Sequence, residues 1–377
     1  MQEETSENEE QGQTEQSRQT VAEENDAEQA KTAGNLEVHF IDVGQGDATL
    51  IKCDGHSMLI DAGNNDKGTL VQNYLQHQGV ETLDYVIGTH PDADHIGGMD
   101  VVLYKFDCKT IIMPDVANNT RTYDDVVQTM KNKGYKTTYP VVGETYTIGG
   151  AAFTIIAPNK EYGNDMNSWS VGVLLQNGNH RFLFTGDAEE GAEQDILQNG
   201  IDISADVYKV AHHGSNTATS QAFLDAVHPT YAVISAGEGN SYGHPHAEVL
   251  NRLRAAGVSV FRTDEQGTIV ATSDGTTLTW NMSPSESWQA GEAEKSQNTE
   301  KSEKAADSQN NAETDAAVSN PTDQTDGNSD VIVHITKTGE KYHSAGCQYL
   351  RKSDIEVTLS EAKARGLTPC SKCNPPQ

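Results

Sequence analysis

Two long polar tracts confine what this chain of 377 residues can fold into. Residues 1–35 are rich in Glu, Gln, Thr and Asn, and residues 283–330 repeat that style with added Ser, Ala and Asp. Neither tract shows apolar periodicity. Neither can bury enough apolar surface to offset the entropy of ordering it. A disordered acidic tail (1–35) and a disordered acidic linker (281–330) are therefore expected. Between and after them lie a stretch of 36–280, long enough for one substantial core, and a small module of 331–377.

Charge follows the same division. Of the net −30, tail and linker carry −8 each and the C-terminal module +3, which leaves −17 on 36–280. An acidic main domain argues against nonspecific nucleic-acid binding by charge alone, unless its carboxylates hold cations. No run of 18 apolar residues occurs, so no transmembrane segment is expected. The opening MQEETSENEE shows no signal peptide and reads as a trimmed start followed by a spacer. Such spacers around a folded domain suit a secreted or cell-surface bacterial protein, possible tethering to that surface included. Five cysteines do not make a disulfide framework. Cys53 and Cys108 stand apart and read as core residues.

Within 36–280, strand and helix signals alternate, which marks an α/β fold with helices packed outside sheets. Strands are expected at 36–44, 48–53, 56–63, 83–90, 151–158, 170–178, 181–187 and 206–214, bounded by Gly and Asp turns. Helices are expected at 68–79, 122–134 and 245–257, the last with Pro245 in its first turn and Gly257 as its stop.

One segment carries the chemistry: Thr89-His90-Pro91-Asp92-Ala93-Asp94-His95-Ile96-Gly97-Gly98. His90, Asp92, Asp94 and His95 lie directly after an apolar strand. In an extended loop, i, i+2 and i+4 share a face and the adjacent residue turns to the other, so one loop can feed two neighbouring cations. Imidazole with carboxylate suits zinc, manganese or iron. The bland alternative is a solvated polar turn. Asp187 ends the apolar run RFLFTGD, and His212-His213-Gly214-Ser215 ends another. His244 and His246 flank Pro245 at the start of an amphipathic helix, where backbone amides favour an anion; each could instead be a cap or surface histidine. Gly44-Gln45-Gly46-Asp47 lacks the lysine and spacing of a phosphate-binding loop and reads as a turn, with Asp47 a supporting group behind a ligand.

H-x-D-x-D-H-x-G-G resembles the signature of the metallo-β-lactamase superfamily, in the variant of the ComEC/Rec2 competence proteins. The resemblance extends in order through Phe40-Ile41-Asp42-Val43-Gly44-Gln45-Gly46-Asp47-Ala48, Leu59-Ile60-Asp61-Ala62-Gly63, Phe184-Thr185-Gly186-Asp187, His212-His213-Gly214-Ser215 and Tyr242-Gly243-His244-Pro245-His246. It implies an αββα sandwich with two divalent metal ions, zinc or manganese, along one edge. His90 and Asp92 would hold one metal, Asp94 and His95 the other, and Asp187 would bridge them. His212 would complete the set, with His213 and His244 competing for the place. Asp61 would orient a ligand histidine from behind. Asp92 stands where most members have His, and Met166-Asn167-Ser168-Trp169-Ser170 offers no His where many have a ligand, so the first metal site is expected to be oxygen-rich and looser. Two cations about 3.5–4 Å apart polarise a phosphoryl oxygen and activate a water, while a nearby His protonates the leaving alkoxide. Asp94, His213, His244 and His246 are the residues expected to take part in catalysis.

The C-terminal module pairs His343 with Cys347 and Cys370 with Cys373, an H-x3-C…C-x2-C arrangement that suits one structural zinc; a Cys370–Cys373 disulfide is the alternative. A core this small needs such a staple. The module resembles the metal-binding domain of the Ada repair protein, with His343 in place of its first Cys.

These readings converge on a metal-dependent phosphodiester hydrolase, with DNA or another phosphodiester polymer as substrate, and specifically an extracellular DNA nuclease. A small-molecule or cell-wall (teichoic acid, phosphorylcholine) phosphodiesterase is the second reading, and a β-lactam or thioester hydrolase the third. A DNA- or surface-binding protein with a vestigial metal site is the non-enzymatic one.

Overall fold

The computed structural model describes residues 33–291 and, in the C-terminal module, 332–336, 341–343, 350, 355–364, 367–370 and 372–373. The expectations for 1–32, for 292–331 and for Cys347 lie outside the described residues. Among these, no helix is long and apolar enough to cross a membrane.

The first sheet begins as an antiparallel meander of β1 (Leu36–Phe40), β2 (Thr49–Cys53) and β3 (His56–Ile60). Helix α1 (Gly68–His77) leads to β4 (Thr82–Ile87), parallel to β3. Two short helices, α2 (Ala93–Ile96) and α3 (Met99–Lys105), precede β5 (Asp107–Ile112), α4 (Arg121–Lys133) and β6 (Thr137–Thr138). The second sheet opens with β7 (Thr145–Ile148), β8 (Ala151–Ala157), β9 (Gly172–Asn177) and β10 (His180–Phe184), all antiparallel. It continues in parallel through α5 (Glu190–Gln198), β11 (Val207–Lys209), α6 (Gln221–Val227), β12 (Tyr231–Ile234), α7 (Ala247–Ala255) and β13 (Ser259–Arg262). After the turn α8 (Thr263–Gln266), β14 (Ile269–Ser273) and β15 (Leu278–Trp280) rejoin the first sheet beside β1. The spatial orders are β15-β14-β1-β2-β3-β4-β5-β6 and β13-β12-β11-β10-β9-β8-β7.

Strand periodicity explains the layering. Val38, Phe40, Ile51, Met58, Val173, Leu175, Phe182 and Phe184 fill the space between the sheets. Their neighbours Leu50 and Leu59 point to the other face, against α1, α3 and α4. Leu174, Leu183, Ala232 and Ile234 likewise point outward, against α5, α6 and α7. Strands apolar on both faces must be covered on both, and the result is a four-layer αββα sandwich.

The domain runs past the expected boundary at 280. Ser285 N donates to Val260 O (2.7 Å), Trp288 packs against the α5–α7 side and under Arg254 (5.3 Å), and Gly291 N donates to Pro245 O (2.9 Å). The start of the linker is thus corrected. One tryptophan anchors eleven residues whose average composition reads as disordered.

The second compact unit contains a four-stranded sheet in the order β18-β16-β17-β19, with β16 (Ile332–Ile335), β17 (Lys341–His343), β18 (Ile355–Thr358) and β19 (Thr368–Pro369). A helix, α9 (Leu359–Ala364), contributes Leu359 and Ala362 to a core of Val333, Ile335, Tyr342 and Val357.

Candidate metal centre

The loops after β1, β3, β4, β10, β11 and β12 meet at one edge of the sandwich. The loop between β4 and α3 is not extended throughout: the chain turns helical at Ala93, with Asp92 extended before it (φ −80°, ψ 152°). Asp94 and His95 therefore diverge by the rotation of a helix, which corrects the strand-alternation reading of that loop. Two neighbours hold it in place. Gly46, at φ +143°, lets Asp47 N reach Asp94 O (3.0 Å); a Cβ there would overlap that same carbonyl. Gly97 and Gly98 are tight against backbone of Ala62, Asn64 and Asn65, so their close approach is to the loop after β3 rather than to the cleft.

Three imidazoles converge with their Nδ1 atoms committed behind them. Thr89 Oγ1 donates to Asp61 Oδ2 (2.7 Å), so its oxygen accepts from His90 Nδ1 (3.1 Å); Ser170 Oγ lies 3.3 Å from the same nitrogen. His95 Nδ1 donates to Asp61 Oδ2 (2.8 Å). His213 Nδ1 donates to Ser235 O (3.1 Å), with Asp47 Oδ1 at 3.3 Å. This network keeps a proton on each Nδ1 and turns each Nε2 toward the cleft. His90 Nε2, His95 Nε2, His213 Nε2 and Asp187 Oδ1 are buried without a hydrogen-bond partner. Buried polar atoms are rarely left so.

Carboxylates complete the arrangement. Asp187 Oδ1 lies 3.2 Å from His95 Nε2, and its Oδ2 is 3.4 Å from His213 Nε2; Asp94 Oδ2 is 3.3 Å from His213 Nε2, and Asp92 Oδ2 3.8 Å from His90 Nε2. Burial opposes ionisation of Asp187, yet the facing His95 and His213 outweigh it and hold its carboxyl well below the usual range. Against their own burial, Asp187 in turn raises both imidazoles well above theirs, so a cation bound here would displace their Nε2 protons. Burial, then the neighbouring His95, presses His90 down to about 3, so it presents a neutral ring. Nitrogen and oxygen donors lacking partners, grouped around one point, fit divalent cations. Asp47, His95, Asp187 and His213 each bring a ligand-type atom within 4.8 Å of the others. Asp47 sits on the Nδ1 side of His213, however, and its Oδ2 is taken by Lys209 Nζ at 2.8 Å, so we read it as orienting that ring.

The structure separates the other histidines. His212 and His213 both have left-handed backbone (φ 49° and 54°), which swings consecutive side chains apart. His213 faces Asp94 and Asp187. His212 sits at the rim, its Nδ1 against Thr217 Oγ1 (3.1 Å) and Glu189 Oε1 (3.3 Å), its Nε2 3.7 Å from Asp187. The preference for His212 as the completing ligand is therefore reversed. His246 spends both nitrogens on backbone, accepting from Asn216 N (3.0 Å) and donating to Tyr242 O (3.2 Å), and its own N–H donates to Gly214 O. It braces two loops, does not line the cleft, and has no ring atom left for catalysis. His244 does line the cleft. Burial, reinforced by the facing His213, lowers it to about 4, and Gln45 Nε2 donates to its Nδ1 (3.4 Å). It therefore offers a neutral Nε2–H and not an acidic proton near neutral pH. Lys209 was missed by sequence reasoning; a lone lysine inside the apolar run DVYKVA was its only signal.

The cleft, of about 180 Å³, is lined by Gln45, Asp92, Asp94, Asn167, Asp187, His212, His213, Tyr242 and His244. Residues 41–238 match the family described as Metallo-beta-lactamase superfamily. The chain belongs to that superfamily. Among relatives, it is 31% identical over 255 residues to ComE operon protein 3 of Bacillus subtilis, covering 62% of this chain and 32% of that protein. It is 33% identical over 238 residues to Recombination protein 2 of Haemophilus influenzae, covering 62% and 28%. The chain thus spans about a third of the length of the curated relatives it matches. A solved structure, the metallo-beta-lactamase fold protein YhfI from Bacillus subtilis, matches at 14% identity and a TM-score of 0.45, over 63% of this chain and 100% of that one. Against the superfamily pattern, Ser170 occupies the region where many members have a third nitrogen ligand; here its Oγ accepts from Asp187 N (3.0 Å) and supports His90.

In the C-terminal unit, β17 and the turn after β19 bring His343, Cys370 and Cys373 together, with His343 Nδ1 3.8 Å from Cys373 Sγ. Three soft or borderline donors at this spacing fit a zinc ion.

Proposed function

We propose that this chain is a metal-dependent phosphodiester hydrolase that cuts DNA outside the cytoplasm, with zinc or manganese in its cleft and a structural zinc in its C-terminal unit. The observation that carries the proposal is the set of imidazole Nε2 atoms, each fixed from behind and left partnerless beside Asp94 and Asp187. His90, Asp92 and Asp187 would hold one cation, and Asp94, His95, His213 and Asp187 the other. When bound, such a pair supplies Lewis acidity and a nucleophilic water near neutral pH. The chain's own groups do the rest. Asp61 and Thr89 keep His90 and His95 in the ligating tautomer. His244 Nε2–H would offer a hydrogen bond to a phosphoryl oxygen, and His212, held at the rim by Glu189 and Thr217, would be the group to protonate a leaving alkoxide.

DNA is favoured over a small ester by the similarity to competence and recombination proteins and by the net positive C-terminal unit; the extracellular setting is favoured by the acidic tracts flanking the domain. Purified protein with Mn²⁺ or Zn²⁺ should release p-nitrophenol from bis-p-nitrophenyl phosphate and cut plasmid or single-stranded DNA. EDTA and Asp94→Ala should each abolish both activities. DNA cleavage that persists in Asp94→Ala would reject this site as its source.

A further inference from the structure

The loop after β12 is pinned from several sides. Asn240 Nδ2 donates to Gly237 O (2.9 Å) and His244 O (2.6 Å), and its Oδ1 accepts from Tyr242 N (3.2 Å) and His244 N (3.0 Å). His246 donates to Tyr242 O, and Gly291 N reaches Pro245 O. What this rigid loop presents is an exposed aromatic ring. Tyr242 lines the mouth of the cleft, is 63% exposed, and lies nearly parallel (21°) to the buried His244 ring at 5.5 Å between centroids. An aromatic ring left in water contributes little to folding, yet here its backbone is fixed and one side is backed by a second ring.

We infer that Tyr242, backed by His244, is a stacking subsite for a nucleobase next to the scissile phosphate. This rests on the phosphodiesterase reading and narrows its substrate to single-stranded or unpaired nucleic acid, because bases in a duplex already stack on one another. The charge balance points the same way. The sandwich, net −17 over residues 36–280, has no excess of Lys and Arg to track a phosphate backbone, so within it affinity has to come from cations in the cleft and from π-stacking, which every base can offer.

The test uses the full chain with Mn²⁺, a single-stranded oligonucleotide, and an abasic oligonucleotide of the same length. Stacking is worth roughly 1–3 kcal/mol per base, so Tyr242→Ala should raise KM for the base-containing strand about tenfold while kcat changes by less than about twofold. Tyr242→Phe should behave as wild type, and the abasic strand should erase the difference between wild type and Tyr242→Ala. A Tyr242→Ala protein that matches wild type on the base-containing strand overturns the inference. So does an equal loss on both strands, or a loss in Tyr242→Phe. Failure of the underlying reading looks different: wild type would then cut neither strand, whatever it does with bis-p-nitrophenyl phosphate.

Discussion

Lys209 and Asp47 lie 2.8 Å apart behind the ring of His213, with 3% and 7% of their side chains exposed. Asp47 in turn abuts His213 Nδ1. Removing one partner of a buried pair strands the other charge and costs about 3–5 kcal/mol. Lys209→Met should therefore lower stability by that order in denaturant titration, and Asp47→Asn in the same chain should recover part of the loss. An unchanged midpoint in Lys209→Met would show that Asp47 is compensated otherwise. At this scale the sequence is most informative where side chains cluster along the chain: His90, Asp92, Asp94 and His95 announce themselves by spacing, and Asp187 by following an apolar run. Adjacent residues are harder. Nothing in His212-His213 says that two left-handed residues aim the second ring inward, and nothing in His244-Pro245-His246 says that one ring lines the cleft while the other bridges backbone. Lys209 finds its partner 162 positions away, beyond any local pattern.

Elements deliver these side chains, and a single glycine shows how tightly. Gly46 holds a backbone angle that L side chains rarely adopt, and its Cα faces the carbonyl of Asp94. Gly46→Ala should cost about 1–3 kcal/mol in strain and push the Asp94–His95 turn out of place, so kcat on bis-p-nitrophenyl phosphate should fall further than the melting temperature suggests. A variant with a lowered melting temperature but wild-type kcat would separate this contact from the site. Strands and long helices were legible from periodicity, as with α4, capped by Thr120 and stopped by Gly134. The short helices α2 and α3 were not, since 4 and 7 residues hardly complete an apolar period. Residues 170–171, expected as strand, instead lead into β9 from a tight turn at Asn167–Trp169, which is what places Ser170 beneath His90.

At the scale of the whole molecule, the sandwich was legible because both faces of its strands are apolar, while the end of the domain was not, because Trp288 and Gly291 act singly within a polar tract. Among the described residues, the C-terminal unit has a core of few side chains and a His343–Cys370–Cys373 cluster, so metal and folding should be coupled there. Cys370→Ser with Cys373→Ser should remove one thermal transition and leave that of the larger unit in place, whereas a chelator should remove the same transition and also lower that of the larger unit; a single transition unaffected by both treatments would contradict this. The most direct test of the account silences that cluster first. The 377-residue chain carrying Cys370→Ser and Cys373→Ser, dialysed against Mn²⁺ or Zn²⁺ and analysed for metal, should retain about two ions per chain, and adding Asp187→Ala should lower that content sharply. A chain that retains no metal, or retains the same amount without Asp187, would contradict the claim that this edge of the sandwich holds paired cations.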